Sequence, residues 1–158
     1  MKHSIQVGLS FGLTSGVITT IGLMVGVYSG THSSVAVIAS ILTIAIADAM
    51  SDALGIHIAE ESENVHTKKE VWVATLTTFF AKFLVSSTFL IPLFLAELKT
   101  AVIINIIWGT AIMVVYNYII GKKQEQSTWG VIFEHLFIAF LVIVVTYFIG
   151  VWVNQIVE

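Results

Sequence analysis

From His3 to Ala47 the chain carries no formal charge, only apolar, small and neutral polar side chains. That run is far longer than a signal-peptide core, and no small-residue cleavage site followed by polar sequence interrupts it. A spanning helix needs about 20 mostly apolar residues. The run therefore reads as one complete transmembrane helix, a turn, and most of a second.

The same pattern continues to the end of the chain. Five segments qualify as spans, at about Ile5–Tyr28, Ser34–Ala59, Val71–Ala96, Thr100–Gly121 and Thr128–Val153. Breaks fall at Ser29-Gly30-Thr31-His32-Ser33, Glu60–Glu70, Glu97-Leu98-Lys99 and Gly121–Ser127. Only Glu60–Glu70 is polar enough to carry a helix into solvent, so the second helix is expected to extend to about residue 69. With 11% charged residues and a mean hydropathy of +0.96, the chain is far from a soluble domain, in which about a quarter of residues are charged. The expectation is an all-α polytopic membrane protein: residues 1–158 as a single transmembrane domain in a lipid bilayer, with no soluble domain.

Loop lysines orient such a chain. Lys2, Lys68, Lys69, Lys122 and Lys123 fall on one side and Lys99 alone on the other, which places the N-terminus in the cytoplasm and the C-terminus outside. Pro92 is expected to kink the third helix or mark its outer end.

Several function classes are set aside at once. A net charge of -3, with lysine as the sole basic residue type, gives no nucleic-acid footprint. Cysteine is absent, which excludes disulfides, thiolate ligands and Cys nucleophiles. No phosphate loop, dinucleotide fingerprint or nucleophile–base pairing is present, so no enzyme is expected.

In the first helix Gly8, Gly12 and Gly16, then Gly22, Gly26 and Gly30, recur at intervals of four and share one face with Ser15 and Thr19. Small residues at this spacing let helix backbones approach closely in lipid. Packing alone accounts for them; a pathway-lining role is the alternative, with Ser15 and Thr19 offering oxygens.

The second helix carries the chemistry. Asp48 and Asp52 are four apart and share a face that continues through Gly55, Ala59, Glu63 and His66. An ionised carboxylate at mid-membrane costs about 2.5–3.5 kcal/mol, and two on one face repel. Such a pair requires protons, cations or water, and marks a cation site unless a basic residue neutralises it. Lys82 lies at comparable depth. It is read as a fixed partner for one aspartate, as a movable internal cation, or as a side chain that snorkels to the inner surface. Met50, His57 and Glu61 line a second face, with donors that suit transition metals, although such residues commonly only pack. Glu60, Glu61, Glu63 and His66 gather cations at the cytoplasmic mouth or simply solvate a helix end. Glu134 and His135 are expected at the interface, and Asn105 and Asn117 in interhelical hydrogen bonds.

The run Ser15-Gly16-Val17-Ile18-Thr19-Thr20-Ile21-Gly22-Leu23-Met24-Val25-Gly26-Val27 resembles the first helix of the vacuolar iron transporter family. Asp48-Ala49-Met50-Ser51-Asp52-Ala53-Leu54-Gly55, leading into Ala59-Glu60-Glu61-Ser62-Glu63, is similar to that family's second helix, and Phe89-Leu90-Ile91-Pro92-Leu93 to its proline-bearing third. The resemblance implies a homodimer whose first two helices line a metal path, moving Fe2+ or Mn2+ out of the cytosol in exchange for protons. The metal is then substrate, with no permanent cofactor. The family's helix-1 Asp is here Ser15, and its helix-2 Met aligns with Asp52, so a carboxylate has moved between helices. The glutamate-rich insert of many members is reduced to Glu60–Glu70. The reading is a divalent-metal transporter with Asp48 and Asp52 as principal ligands and Ser15, Thr19, Met50 and His57 as weaker ones, in a prokaryotic plasma membrane. The alternatives are a non-transporting scaffold with a structural Asp–Lys network and a proton or monovalent-cation conduit.

Overall fold

The computed structural model describes residues 1–122 and 128–157. Lys123 and most of the expected break at Gly121–Ser127 lie outside the described residues. Five helices are long and apolar enough to cross a membrane: α1 (Lys2–Thr31), α2 (Ser34–Ser62), α3 (Lys68–Leu95), α4 (Leu98–Gly121) and α5 (Thr128–Val157). The all-α, five-span expectation agrees with this architecture.

Hydrocarbon offers no partner to a free N–H or C=O, so apolar segments must close their hydrogen bonds internally. The side-chain hydroxyls obey the same rule. Thr19, Thr43, Thr75, Thr78, Thr110 and Thr146 each donate to the carbonyl four residues back. The turns are short. His32 adopts a left-handed conformation and its N–H returns to the Tyr28 carbonyl, which stops α1 three residues later than the sequence places it.

At the other end, α2 stops at Ser62 and does not extend to residue 69. Asn64 turns with φ 54°, and a reciprocal Thr67–Glu70 capping box starts α3 at Lys68. Within α3, Pro92 has no N–H for the Thr88 carbonyl. The helix breaks there, at Phe89, and resumes over Leu90–Leu95. Asn105 Nδ2 donates to the Phe89 carbonyl over 2.8 Å, satisfying a backbone group at the break.

Helix α1 is the axis of the bundle. Its glycines are contact points: a Cβ at Gly8 would come within 2.6 Å of the Ala74 carbonyl oxygen, and one at Gly12 within 2.6 Å of that of Thr78. Gly22, Gly26 and Gly30 instead face Val142, Thr146 and Gly150 of α5. One stripe of small residues thus serves two neighbours in succession, α3 along its first half and α5 along its second. The apolar core joins Val17, Ile21, Met24 and Val25 of α1 to Val37, Ile41, Val85, Phe89, Val102 and Met113. Large apolar side chains such as Phe94, Ile107, Phe133 and Phe148 cover the outside, a surface suited to lipid and far too extensive for a water-facing monomer.

Candidate functional site

Three helices deliver the central cluster. Gly12 and Gly16 bring the α3 backbone against α1; Gly16 lies so close that a Cβ there would be 3.3 Å from both Cα and Cγ of Lys82. Lys82 runs past that contact, wholly buried, and its Nζ lies 2.5 Å from Asp48 Oδ2 and 2.5 Å from Asp52 Oδ2. Ser15 Oγ completes the set, accepting from Lys82 Nζ at 2.9 Å and donating to Asp52 Oδ2 at 2.6 Å. Of the three sequence readings of Lys82, snorkelling is therefore set aside. It meets both aspartates at once, where the fixed-partner reading gives it one, so the acidic pair does have a basic neighbour.

Helix α2 is not regular at this point. Residues Ile44–Asp48 form one π-helical turn, a widened turn of the kind that collects at functional sites. Ala45, Ala49 and Ala53 are buried and let α2 approach its neighbours closely. The aspartates sit at the margin of this alanine face. Side-chain exposure in the single chain is 38% for Asp48 and 20% for Asp52, against 0% for Lys82. With both carboxylates ionised, the cluster holds two negative charges and one positive, a net charge of minus one.

On the side shared by the start of α1 and the end of α2, a cleft of about 480 Å³ is lined by His3, Gln6, Val7, Ser10, Phe11 and Ile56. Ile56 is one turn beyond Asp52. On the far side the apolar core around Val17, Ile21, Met24, Val37 and Ile41 closes the bundle.

The other candidate residues fall elsewhere. The Thr19 hydroxyl donates to the Ser15 carbonyl of its own helix. Met50 is exposed beside an apolar groove that includes Leu54, Leu76 and Phe79. His57 Nδ1 is 2.9 Å from Thr75 Oγ1, and its ring stands edge-on to Trp72. His57 and Glu61 share a separate cleft of about 380 Å³ with Asn64, His66, Lys68 and Trp72. Met50 and His57 are thus not brought to the aspartates. Glu63 lies within hydrogen-bonding distance of His66 at the end of α2, while Glu134 is exposed and His135 bonds to its own helix at Val131. Asn105 Nδ2 is paired across helices, while Asn105 Oδ1 and Asn117 Nδ2 are buried without a partner among the described residues.

Sequence reading missed His3. The Met1 amino group lies 2.7 Å from Glu70 Oε1, and the His3 ring stacks on His66 with centroids 5.8 Å apart. The available signal was topological: an antiparallel α1–α2 pair places the start of one beside the end of the other.

Fold and cluster together define a multi-span helical protein with an Asp–Lys–Asp group among its candidate membrane spans. No family model, curated protein or solved structure matches the chain.

Proposed function

We propose that the protein is a proton-coupled divalent-metal transporter that binds its substrate at Asp48 and Asp52, with Lys82 as the counter-charge of the metal-free state. The observation that carries this reading is the arrangement of charge. A fully buried ammonium holds two carboxylates that both remain partly open. Net charge in hydrocarbon is costly, which favours states of the cluster that are neutral. One such state has one aspartate protonated, the other ionised, and Lys82 as ammonium. Another has a divalent ion on two carboxylates, with Lys82 as the neutral amine. Passing from the first to the second takes up one metal ion and releases two protons, so exchange is electroneutral. Metal binding to protonated ligands releases protons generally.

The cleft from His3 to Ile56 supplies the approach, and the apolar core supplies a closed far side. Glu60, Glu61, Glu63 and His66 lie at the same end of the bundle, where the glutamates add negative charge, with Glu61 and His66 lining the separate cleft beside His57. Exposed small residues Ser51, Gly55 and Ala59 recur every four positions beside the aspartates, which supports a homodimer closing over the open carboxylates. The resemblance to vacuolar iron transporters supports Fe2+ or Mn2+ as cargo.

In proteoliposomes, Mn2+ flux should be driven by a pH gradient and indifferent to membrane potential, and Asp48→Asn with Asp52→Asn should abolish it. Unchanged flux in that variant overturns the assignment. The complete burial of Lys82 favours a second reading, a static ion network in a non-transporting scaffold. It predicts no metal flux in the parent protein, and a folded, stable Asp48→Asn/Asp52→Asn/Lys82→Met triple variant.

A further inference from the structure

At the end of the bundle away from the apolar core, three side chains from separate parts of the chain converge. His3 comes from the first turn of α1, Glu60 from the last turn of α2, and His66 from the turn before α3. One ligand atom from each lies within 4.8 Å of the others. Glu60 is buried, 6% exposed, and its Oε2 has no hydrogen-bond partner. That oxygen points at His66 Nε2 over 3.7 Å. Burying a carboxylate oxygen without a hydrogen bond is expensive, whereas Glu70 is satisfied by Thr67 and the Met1 amino group, Glu63 by His66 at 3.2 Å, and Glu61 is exposed.

We propose that His3, Glu60 and His66 form a binding site for a divalent transition-metal ion that pins the start of α1 to the α2–α3 turn. Two imidazoles and a carboxylate are a donor set for zinc and its first-row neighbours rather than for calcium or magnesium. Bond lengths of about 2.0–2.2 Å to N and O require the three atoms to draw together by about an ångström, within reach of small side-chain rotations. Three protein ligands leave a position open for water or for the exposed Glu63 carboxylate, which already lies beside His66. The site stands apart from the Asp48–Lys82–Asp52 cluster and does not depend on transport. Its ion bridges all three segments and is held in place. The consequence is a metal-dependent clasp: occupancy fixes the first turn of α1, beside the mouth of the cleft that His3 also lines.

The test uses the full chain in detergent, with Co2+ as the probe and Zn2+ as competitor. One equivalent of Co2+ should give d–d absorption that Zn2+ abolishes, together with a raised melting temperature. His3→Ala alters an exposed side chain and leaves the helices intact; it should weaken binding at least about tenfold and remove most of the thermal shift. Glu60→Gln and His66→Ala should do the same, while His57→Ala and Glu61→Gln, in the neighbouring cleft, should not. Asp48→Asn/Asp52→Asn should keep the Zn2+-displaceable d–d bands that His3→Ala removes, whatever Co2+ the aspartates themselves hold, so loss of the transport reading and loss of this one are distinguishable. Unchanged Co2+ affinity in His3→Ala overturns the proposal, as do d–d bands that follow His57 or the aspartates and not His3.

Discussion

The Lys82 ammonium is wholly buried, yet the Asp48 carboxylate 2.5 Å away keeps 38% of its side-chain surface open. One partner is therefore committed to the interior while the other faces outward from the chain. Coulombic attraction at this separation is large in a poor dielectric, but removing the ion pair's charges from water offsets much of it. The pair is costly to break from one side and much less costly to delete whole.

Lys82→Met should therefore destabilise the protein by up to about 3 kcal/mol, the low end of the cost of stranding a buried charge partner, because Asp48 and Asp52 are only partly enclosed. Two carboxylates would then share a site with no cation. Adding Asp52→Asn should recover part of that loss, because it removes the charge most enclosed by Lys82 and Ser15. Unfolding in mixed detergent micelles measures both. Equal stability of Lys82→Met and the parent would mean that the ammonium contributes nothing to the fold.

The glycine stripe makes a graded prediction. A Cβ at Gly12 meets the Thr78 carbonyl oxygen at 2.6 Å and Ala81 Cβ at 2.9 Å, whereas one at Gly26 meets its nearest atom, the Thr146 carbonyl oxygen, at 3.3 Å. Backbone at 2.6 Å has to move, and overpacking of this kind costs about 1–3 kcal/mol. Gly12→Ala should push α3 away from α1 and loosen the seat of Lys82; Gly26→Ala should cost clearly less. The same micelle unfolding assay ranks them, and an equal cost would count against α1–α3 as the tighter contact.

Much of this fold is legible in the sequence because hydrocarbon imposes a coarse rule: apolar length gives the spans, and polar interruptions give the turns. The carboxylate pair on α2 is legible for the same reason, since charge is conspicuous where charge is rare. The partner of that pair was not fixed by sequence. Depth places Lys82 at the right level, but only the Gly12 and Gly16 contacts bring its stem beneath α1 toward both aspartates. The π turn at Ile44–Asp48 has no marker in its residues; Ile-Ala-Ile-Ala reads as ordinary helix. The failure of α2 to extend past Ser62 traces to local chemistry, with Asn64 in a left-handed turn and Thr67 and Glu70 capping the next helix. The third ligand of the His3–Glu60–His66 group is a long-range contact that spacing along one helix does not reveal.

The outward face of the aspartates sets the last prediction. Ser51, Gly55 and Ala59 are exposed beside Asp48 and Asp52 on α2, and a Cβ at Gly55 would meet nothing within 4 Å. Lipid against a half-open carboxylate is unfavourable, and a stripe of small residues is the surface on which membrane helices approach one another most closely. A second copy of the chain seated on this stripe would cover both aspartates. The absence of native cysteine makes an introduced thiol the sole reporter. Ser51→Cys and Ala59→Cys should therefore give disulfide-linked dimers on mild oxidation in the membrane, and Leu76→Cys, exposed on α3, should not. Gly55→Leu combined with Ser51→Cys should lose the cross-link, because the added side chain holds the helices apart. Cross-linking at Leu76 but not at Ser51 or Ala59 would place the dimer contact on another face and leave the aspartates open to whatever surrounds the chain.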